Sequence, residues 1–220
     1  MNKFLLWLIF AMVFISGCTT VQKKDYSAFY AHPPRSIVVV PALNNTTEIS
    51  APPVFTSTIT APLAERGYYV FPVYLTDILL KDIGLSEAGH IHQLPPSRFL
   101  DLFGADAVLF VTIEDWSTKY ILISSSVVVD MKYELKDTRT GLSLWQGEQQ
   151  VVHNSDDGGG GGEGGLIAGL IVMAVKAAIT AITVDYMPLA RQANQMVFLP
   201  PKGLPAGPYN PEYKTDQSKF

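Results

Sequence analysis

Two groups of side chains in this sequence have the types and the spacing for metal or acid–base chemistry. His90 and His92 can place two imidazoles on one side of an extended loop, as zinc ligands. Glu114 and Asp115 follow an apolar run, and paired carboxylates can transfer protons or bind calcium. A catalytic zinc site needs three protein ligands, and neither group has neighbours that complete a site. We therefore interpret the histidines as surface residues and the carboxylates as a solvated strand end.

A third group, His153 with Asp156 and Asp157, contains two of the residue types of a catalytic triad. No serine lies in a turn of the G-x-S-x-G type, so the sequence predicts no nucleophile to go with it. Residues 158–165 hold seven glycines in eight positions before an apolar segment. This run lacks the lysine of a phosphate-binding loop, and we interpret it as a flexible hinge. We predict no catalytic residue, no metal site, no cofactor and no enzyme activity.

Cys18 is the only cysteine in 220 residues, which excludes internal disulfides and cysteine-clustered zinc sites. It follows a short positive start and the run Phe4–Ile15 of twelve apolar residues, the pattern of a secretory signal peptide. As a helix, such a run is about 18 Å long, too short for the ~30 Å hydrocarbon core of a bilayer. The segment Ile15-Ser16-Gly17-Cys18 resembles the bacterial lipobox, in which the cysteine is acylated and becomes the first residue of the mature chain.

The lipobox predicts how the mature chain meets the membrane. Two or three acyl chains anchor a protein stably, because each buried methylene contributes about 0.8 kcal/mol. Bacterial lipoproteins that stay in the inner membrane commonly carry Asp after the cysteine, whereas Thr19 and Thr20 follow Cys18 here. We therefore predict a chain that is lipid-anchored in the bacterial outer membrane.

Composition and charge limit the other partners. Hydrophobic residues make up 48% of the chain and charged residues 16%, which is typical of a folded protein. The formal net charge of −4 cannot neutralise a run of phosphates, so nucleic acid is excluded as a bulk partner.

Apolar periodicity predicts an α/β fold with a single mixed β-sheet flanked by helices. A strand, a helix and a parallel strand over residues 36–41, 54–66 and 68–73 form a βαβ start. Two short helices follow over 76–83 and 96–103, then a strand over 107–116 and an antiparallel hairpin of 127–136 and 142–152. Four large side chains on strand faces are predicted to fill the core: Phe110, Trp116, Tyr133 and Trp145.

The remaining segments surround this domain. Residues 166–184 contain fifteen apolar residues in nineteen, and Lys176 argues against a membrane span. We predict a helix packed on the sheet, with a membrane helix or a homo-oligomer helix as open alternatives. Five prolines between 200 and 220 predict an extended, mobile tail. The predicted organisation is a signal peptide over 1–17, a lipidated tether over 18–35, an α/β domain over 36–199 and a Pro-rich tail over 200–220.

Four segments in order resemble a bacterial lipoprotein family of unknown function. They are 36–47 (SIVVVPALNNTT), 62–73 (PLAERGYYVFPV), 103–113 (FGADAVLFVTI) and 138–147 (TRTGLSLWQG). With the lipobox, the resemblance extends from about Cys18 to about Pro201. The family is similar in architecture to the amino-terminal domain of the Tol system's periplasmic propeller protein and to the periplasmic domain of curli-secretion lipoproteins. It is often encoded beside a curli-type lipoprotein, which implies an accessory subunit, and it supplies no catalytic residue.

These observations support two hypotheses from different classes. The first is a non-enzymatic lipoprotein that docks other envelope proteins in assembly, transport or secretion. Its partners are membrane lipid through acylated Cys18, other envelope lipoproteins of the curli-secretion type and, as an open alternative, a second copy of the chain. The second is a periplasmic lipoprotein that binds a small ligand in the groove at the carboxyl ends of the first two strands.

Overall fold

The computed structural model describes residues 24–121, 124–154 and 185–220. A mixed sheet of six strands has the order β3-β1-β4-β5-β6, with β2 paired to β4. The fold class predicted from the sequence is therefore confirmed. In chain order, the elements are α1 Ser27–Ala31, β1 Ser36–Val39, β2 Leu43–Asn44, α2 Ala51–Glu65, β3 Tyr69–Val70, α3 Val73–Asp82, α4 Ala88–His92, α5 Ser97–Phe103, β4 Ala107–Ile121, β5 Ser124–Asp137, β6 Ser143–Asn154, α6 Met187–Val197 and a final 3-10 helix Asp216–Lys219.

The predicted βαβ start is present, with a shorter second strand. β1 pairs in parallel with β3 on one side and with β4 on the other, and its Ile37 and Val38 are fully buried. α2 begins with two prolines in its first turn, where the backbone N–H groups have no acceptor within the helix. β3 has only two residues because Pro72 cannot donate to a β-ladder and starts α3 instead. The prediction of a strand through Val73 was wrong at this end.

The antiparallel part of the sheet is longer than predicted. β4 pairs antiparallel with β5 from Ala107 to Ile121, beyond the predicted end at Trp116, and β6 pairs antiparallel with β5 from Ser126 to Lys136. A β-bulge between Ile113 and Asp115 interrupts the β4–β5 ladder, so Glu114 lies at a bulge within a strand and not at a strand end.

Helices cover the two faces of the sheet unequally. One face packs against α1, α2, α6 and the segment after α6 in a large core that contains Tyr133 and Trp145. The other face is covered by α3, α4 and α5 only over β1 and the start of β4, through Leu80, Ile91 and Phe99. The second face of β5 and β6 carries mainly polar and charged side chains.

The predicted tether and tail both contribute to the core, which corrects the sequence-based assignment. Within the described part of the tether, α1 buries Phe29, which is 2% exposed. In the tail, Leu204 and Phe220 are 1% and 6% exposed, so residues 203–220 fold against the domain. Gly67 makes room for this segment, since a Cβ there would lie 2.4 Å from the Asn210 backbone nitrogen. The prolines between residues 200 and 220 predicted an irregular backbone there, but they did not predict that this segment packs against the domain.

Several predictions fall on residues outside the described ranges. These are the signal peptide, Cys18, the glycine run and the helix over 166–184. Among the helices that the structure describes, none has the length and apolar character needed to cross a membrane.

Candidate functional site

Helix α3 turns apolar side chains toward solvent. Leu75, Ile78 and Leu79 have the i, i+3, i+4 spacing of one helix face, and they are 59%, 37% and 38% exposed. Tyr74 and Ile83 extend this exposed surface. We call these five residues the α3 face. Because soluble monomers rarely group large exposed apolar side chains, we regard this face as the candidate interaction site.

The buried side of α3 shows the reverse polarity. Leu80 is fully buried among the residues of the second core. Thr76 is also buried, and its hydroxyl has no hydrogen-bond partner in the described part of the chain. The helix thus places a threonine inward and several leucine and isoleucine side chains outward. Stability of the isolated domain does not explain this arrangement, since burial of apolar groups is what stabilises a fold.

A groove lies beside the α3 face, between α2 and α3. Its volume is about 490 Å³. The floor is the chain from Val39 to Ala42 at the carboxyl end of β1, and Val73 follows the end of β3. This is the position that the second hypothesis assigned to a ligand groove. Its remaining lining residues are Pro52, Pro53, Thr56, Ser57, Tyr74, Asp77 and Lys81.

The polar groups of this α2–α3 groove satisfy one another. Lys81 donates a 2.7 Å hydrogen bond to Asp77, which also raises the pKa of the Lys81 amine. The Thr56 hydroxyl donates to the Pro52 carbonyl at 2.9 Å. The groove therefore offers an apolar surface with a paired charge at its rim, which suits an apolar side chain or ligand better than an ionic one.

A second concavity of about 520 Å³ lies on the open face of β4, β5 and β6. Two of its lysines form ion pairs: Lys132 of β5 contacts Glu114 of β4 at 3.2 Å, and Lys136 contacts Glu134 of the same strand at 3.2 Å. Ion pairs between exposed neighbouring side chains, such as the cross-strand pair Lys132–Glu114, are typical of a solvated sheet face. We regard this surface as a weaker candidate site than the α3 face.

The two histidines have different surroundings. His90 is exposed, as predicted. His92 is half-buried: its Nε2 donates to the Pro41 carbonyl at 3.0 Å, and its ring lies 5.1 Å from that of Phe110. Burial lowers the pKa of His92, although the hydrogen bond to Pro41 opposes the shift. The surface interpretation was wrong for His92, which supports the loop at the groove floor.

The acidic candidates form no joint site. Glu114 accepts hydrogen bonds from Asn45 at 3.1 Å and from Lys132, and these bonds lower its pKa. Asp115 forms an ion pair with Lys119 at 3.0 Å. His153 lies in β6, and its two candidate partners fall outside the described residues. Within the described ranges, no group of three His, Cys, Asp or Glu side chains could hold a metal ion.

The four large strand residues lie in the core, as predicted. Phe110, Trp116, Tyr133 and Trp145 are 8%, 3%, 2% and 2% exposed. By contrast, no residue of the α3 face was predicted as a site residue. The apolar spacing at 75, 78 and 79 around a threonine was the available signal.

A match to a family model covers most of the described domain. The model is described as "Putative lipoprotein GNA1162-like" and matches residues 24–209. The chain belongs to this lipoprotein family. The resemblance drawn from four sequence segments is therefore confirmed.

A sequence relative and a solved structure similar to this lipoprotein both come from Neisseria meningitidis. A serogroup B protein described as "Putative lipoprotein NMB1124/NMB1162" is 34% identical over 164 residues, which cover 73% of this chain and 76% of the relative. The crystal structure of lipoprotein GNA1162 is 32% identical and superposes with a TM-score of 0.56, covering 67% of this chain and 100% of that chain. The sequence relative and the solved structure thus support the same lipoprotein family, and the structure has the same α/β architecture.

Proposed function

We propose that this lipoprotein is anchored in the outer membrane through acylated Cys18 and acts as a non-enzymatic docking subunit of an envelope assembly, transport or secretion complex. The observation that supports docking is the α3 face. Five large apolar side chains lie exposed within ten residues, beside a groove that could receive a partner's side chain.

The chemistry of this surface favours an apolar segment of another envelope protein as the partner. Fully burying a leucine or isoleucine side chain contributes roughly 1.5–3 kcal/mol, so a partner that covers half-exposed residues gains part of this free energy at each one. An amphipathic helix can lie along α3 and insert an anchor residue into the α2–α3 groove. The prolines at positions 52 and 53 stiffen one wall, which limits the entropy lost on binding.

Site-specific photocrosslinking in cells tests the docking proposal. A photoreactive amino acid at position 79 or 83 should capture a partner of constant mass. The same group at Leu142, which is 47% exposed outside the α3 face, should not capture it. Leu75→Glu should abolish capture from position 79, whereas Leu142→Glu should leave it unchanged. Equal capture from all positions, or capture that survives Leu75→Glu, would contradict docking at this face. Capture of a second copy of this chain would show that the partner is the chain itself and not another envelope protein.

Anchoring is tested separately with Cys18→Ala. This variant should remain unprocessed and incorporate no labelled palmitate, whereas wild type should be labelled and recovered with outer membranes. Wild-type behaviour of Cys18→Ala would refute the lipid anchor and leave the docking question open.

A second candidate function, binding of a small apolar ligand, is favoured by the groove alone. A ligand that binds only the folded state raises the melting temperature. Thr56→Trp would fill the groove and should abolish such a rise, while Leu75→Glu on the α3 face should not.

A further inference from the structure

The first described residue, Lys24, is held against the edge of the sheet. Its ammonium group donates to the backbone carbonyls of Gln146 in β6 and, at 3.2 Å, of Lys202. The same group lies 4.7 Å from the ring centroid of Trp145. Two residues later, the buried hydroxyl of Tyr26 donates to the Gly203 carbonyl at 2.6 Å. The chain therefore leaves the domain from one defined point beside β6 and the end of α6.

The chain between this point and the proposed anchor is short. Five residues separate Cys18 from Lys24. Even fully extended, this connection spans at most about 21 Å. An acylated Cys18 therefore keeps the surface around Lys24 close to the bilayer. Over such a distance, the effective concentration of the tethered surface at the membrane is on the order of millimolar, so a weak lipid contact is enough to orient the domain.

The surface around this point has the composition of a membrane-contact site. Met196 and Leu199 are 45% and 54% exposed at the end of α6, and Pro201 and Lys202 are exposed beside them. We call these four residues the anchor-side corner. Apolar side chains next to lysine can enter the headgroup region while the ammonium stays at the phosphates. Glu148 also borders this surface, so the attraction depends more on the apolar groups than on net charge.

We propose that the anchor-side corner rests on the lipid bilayer and orients the domain relative to the membrane. The inference rests on the proposed lipid anchor at Cys18. It adds a second membrane contact, made by side chains of the folded domain.

Sheet topology then places the α3 face away from the bilayer. The corner adjoins β6, whereas α3 follows β3 and packs on β1. β3 and β6 are at the two ends of the strand order, about 19 Å apart at ~4.8 Å per strand. With β6 toward the membrane, the α3 face is open to a partner approaching from the aqueous side.

Fluorescence quenching by brominated lipids tests this orientation. Lipidated Leu199→Trp would be reconstituted in vesicles of about three parts phosphatidylethanolamine to one part phosphatidylglycerol, with and without bromine on the acyl chains. The matched control is Tyr209→Trp. Tyr209 is 64% exposed, and its backbone N–H donates to the Gly67 carbonyl next to β3. After subtraction of the wild-type signal, quenching at position 199 should exceed that at position 209 by about twofold or more.

Vesicle flotation separates the two possible failures. If the protein does not float with vesicles, the proposed lipid anchor is wrong, and so is the orientation of the domain that was inferred from it. If it floats but positions 199 and 209 are quenched equally, the anchor stands and the proposed orientation is refuted. Because both positions are exposed, the tryptophans should not prevent folding, and an unchanged melting temperature checks this.

Discussion

The guanidinium of Arg66 donates a 3.0 Å hydrogen bond to the carboxylate of Asp216, which lies 150 residues later in the chain. The Arg66 side chain is 12% exposed and that of Asp216 only 1%. The same carboxylate oxygen accepts a 2.7 Å bond from the Ala206 N–H. One acidic residue thus joins the end of α2 to two parts of the segment that sequence composition predicted to be a mobile tail.

Replacing Asp216 with Asn should destabilise the domain by about 3 kcal/mol. The amide can still accept from Ala206, but the Arg66 charge would lose its buried counter-charge. Urea unfolding measures the difference. Asp101→Asn is the control, because the Arg98–Asp101 pair is 3.6 Å long with exposed side chains, and its loss should cost less than about 0.5 kcal/mol. Equal effects of the two substitutions would show that residues 203–220 do not depend on the Arg66–Asp216 contact.

His92 should make the domain sensitive to acid. Burial lowers its pKa in the folded state below the ordinary value of 6.5, so below that pH the unfolded chain binds the proton more readily. Its contribution to stability is therefore complete above pH 6.5 and is lost as the pH falls through the folded-state value. His92→Gln can keep a donor for the Pro41 carbonyl but cannot be protonated. Between about pH 7.5 and about pH 5, its melting temperature should fall less than that of wild type.

The matched control for this titration is His90→Gln, since His90 lies on the same helix and is exposed. This variant should lose as much stability as wild type over the same pH range. If both substitutions reduced the acid sensitivity equally, burial of His92 would not be its cause.

Two leucines five positions apart on α3 should differ strongly in how much stability is lost when each is truncated to alanine. Leu80 is fully buried, and Leu80→Ala should cost about 3 kcal/mol through lost burial and a cavity. Leu75 is 59% exposed, and Leu75→Ala should change the free energy of unfolding by less than about 0.5 kcal/mol. Calorimetric unfolding of both variants measures this. A large loss in Leu75→Ala would mean that the α3 face is covered within the same chain and is not available to a partner.

Thr76→Val should stabilise the domain by about 1 kcal/mol. The Thr76 hydroxyl is buried and has no hydrogen-bond partner among the described residues, so replacing it with a methyl group of similar size removes a desolvation cost. Chemical unfolding would give the difference, with Thr58→Val as the comparison. The Thr58 hydroxyl donates to the Phe55 carbonyl at 2.9 Å and accepts from Asn194 at 2.8 Å, so this change should destabilise. A loss of stability in Thr76→Val would indicate that a water molecule satisfies the hydroxyl.

The antiparallel strands were predictable because their apolar residues alternate. Val127, Val129 and Met131 share one face of β5, and all three are fully buried. The end of β4 was underestimated because residues 117–119 are polar, and a strand with one solvated face carries polar residues without ending.

The α3 face was not predictable from local pattern alone. Apolar spacing at 75, 78 and 79 identifies one side of a helix, but it does not state whether that side meets the core or solvent. The usual assumption buries the apolar side, and here Thr76 and Leu80 point inward instead. The long-range packing of Phe220 could not be predicted for a similar reason. The proline content of residues 200–220 does not indicate which distant residues they contact.

The aromatic rings of Tyr26 and Phe220 lie 5.2 Å apart, so the core joins residues from both ends of the described domain. A growing chain cannot complete this layer until residue 220 has been made. Contacts between such distant residues slow folding, because a long loop must close before they form. Tyr26 and the adjoining helix α1 therefore reach their final packing only after the rest of the described domain has been synthesised.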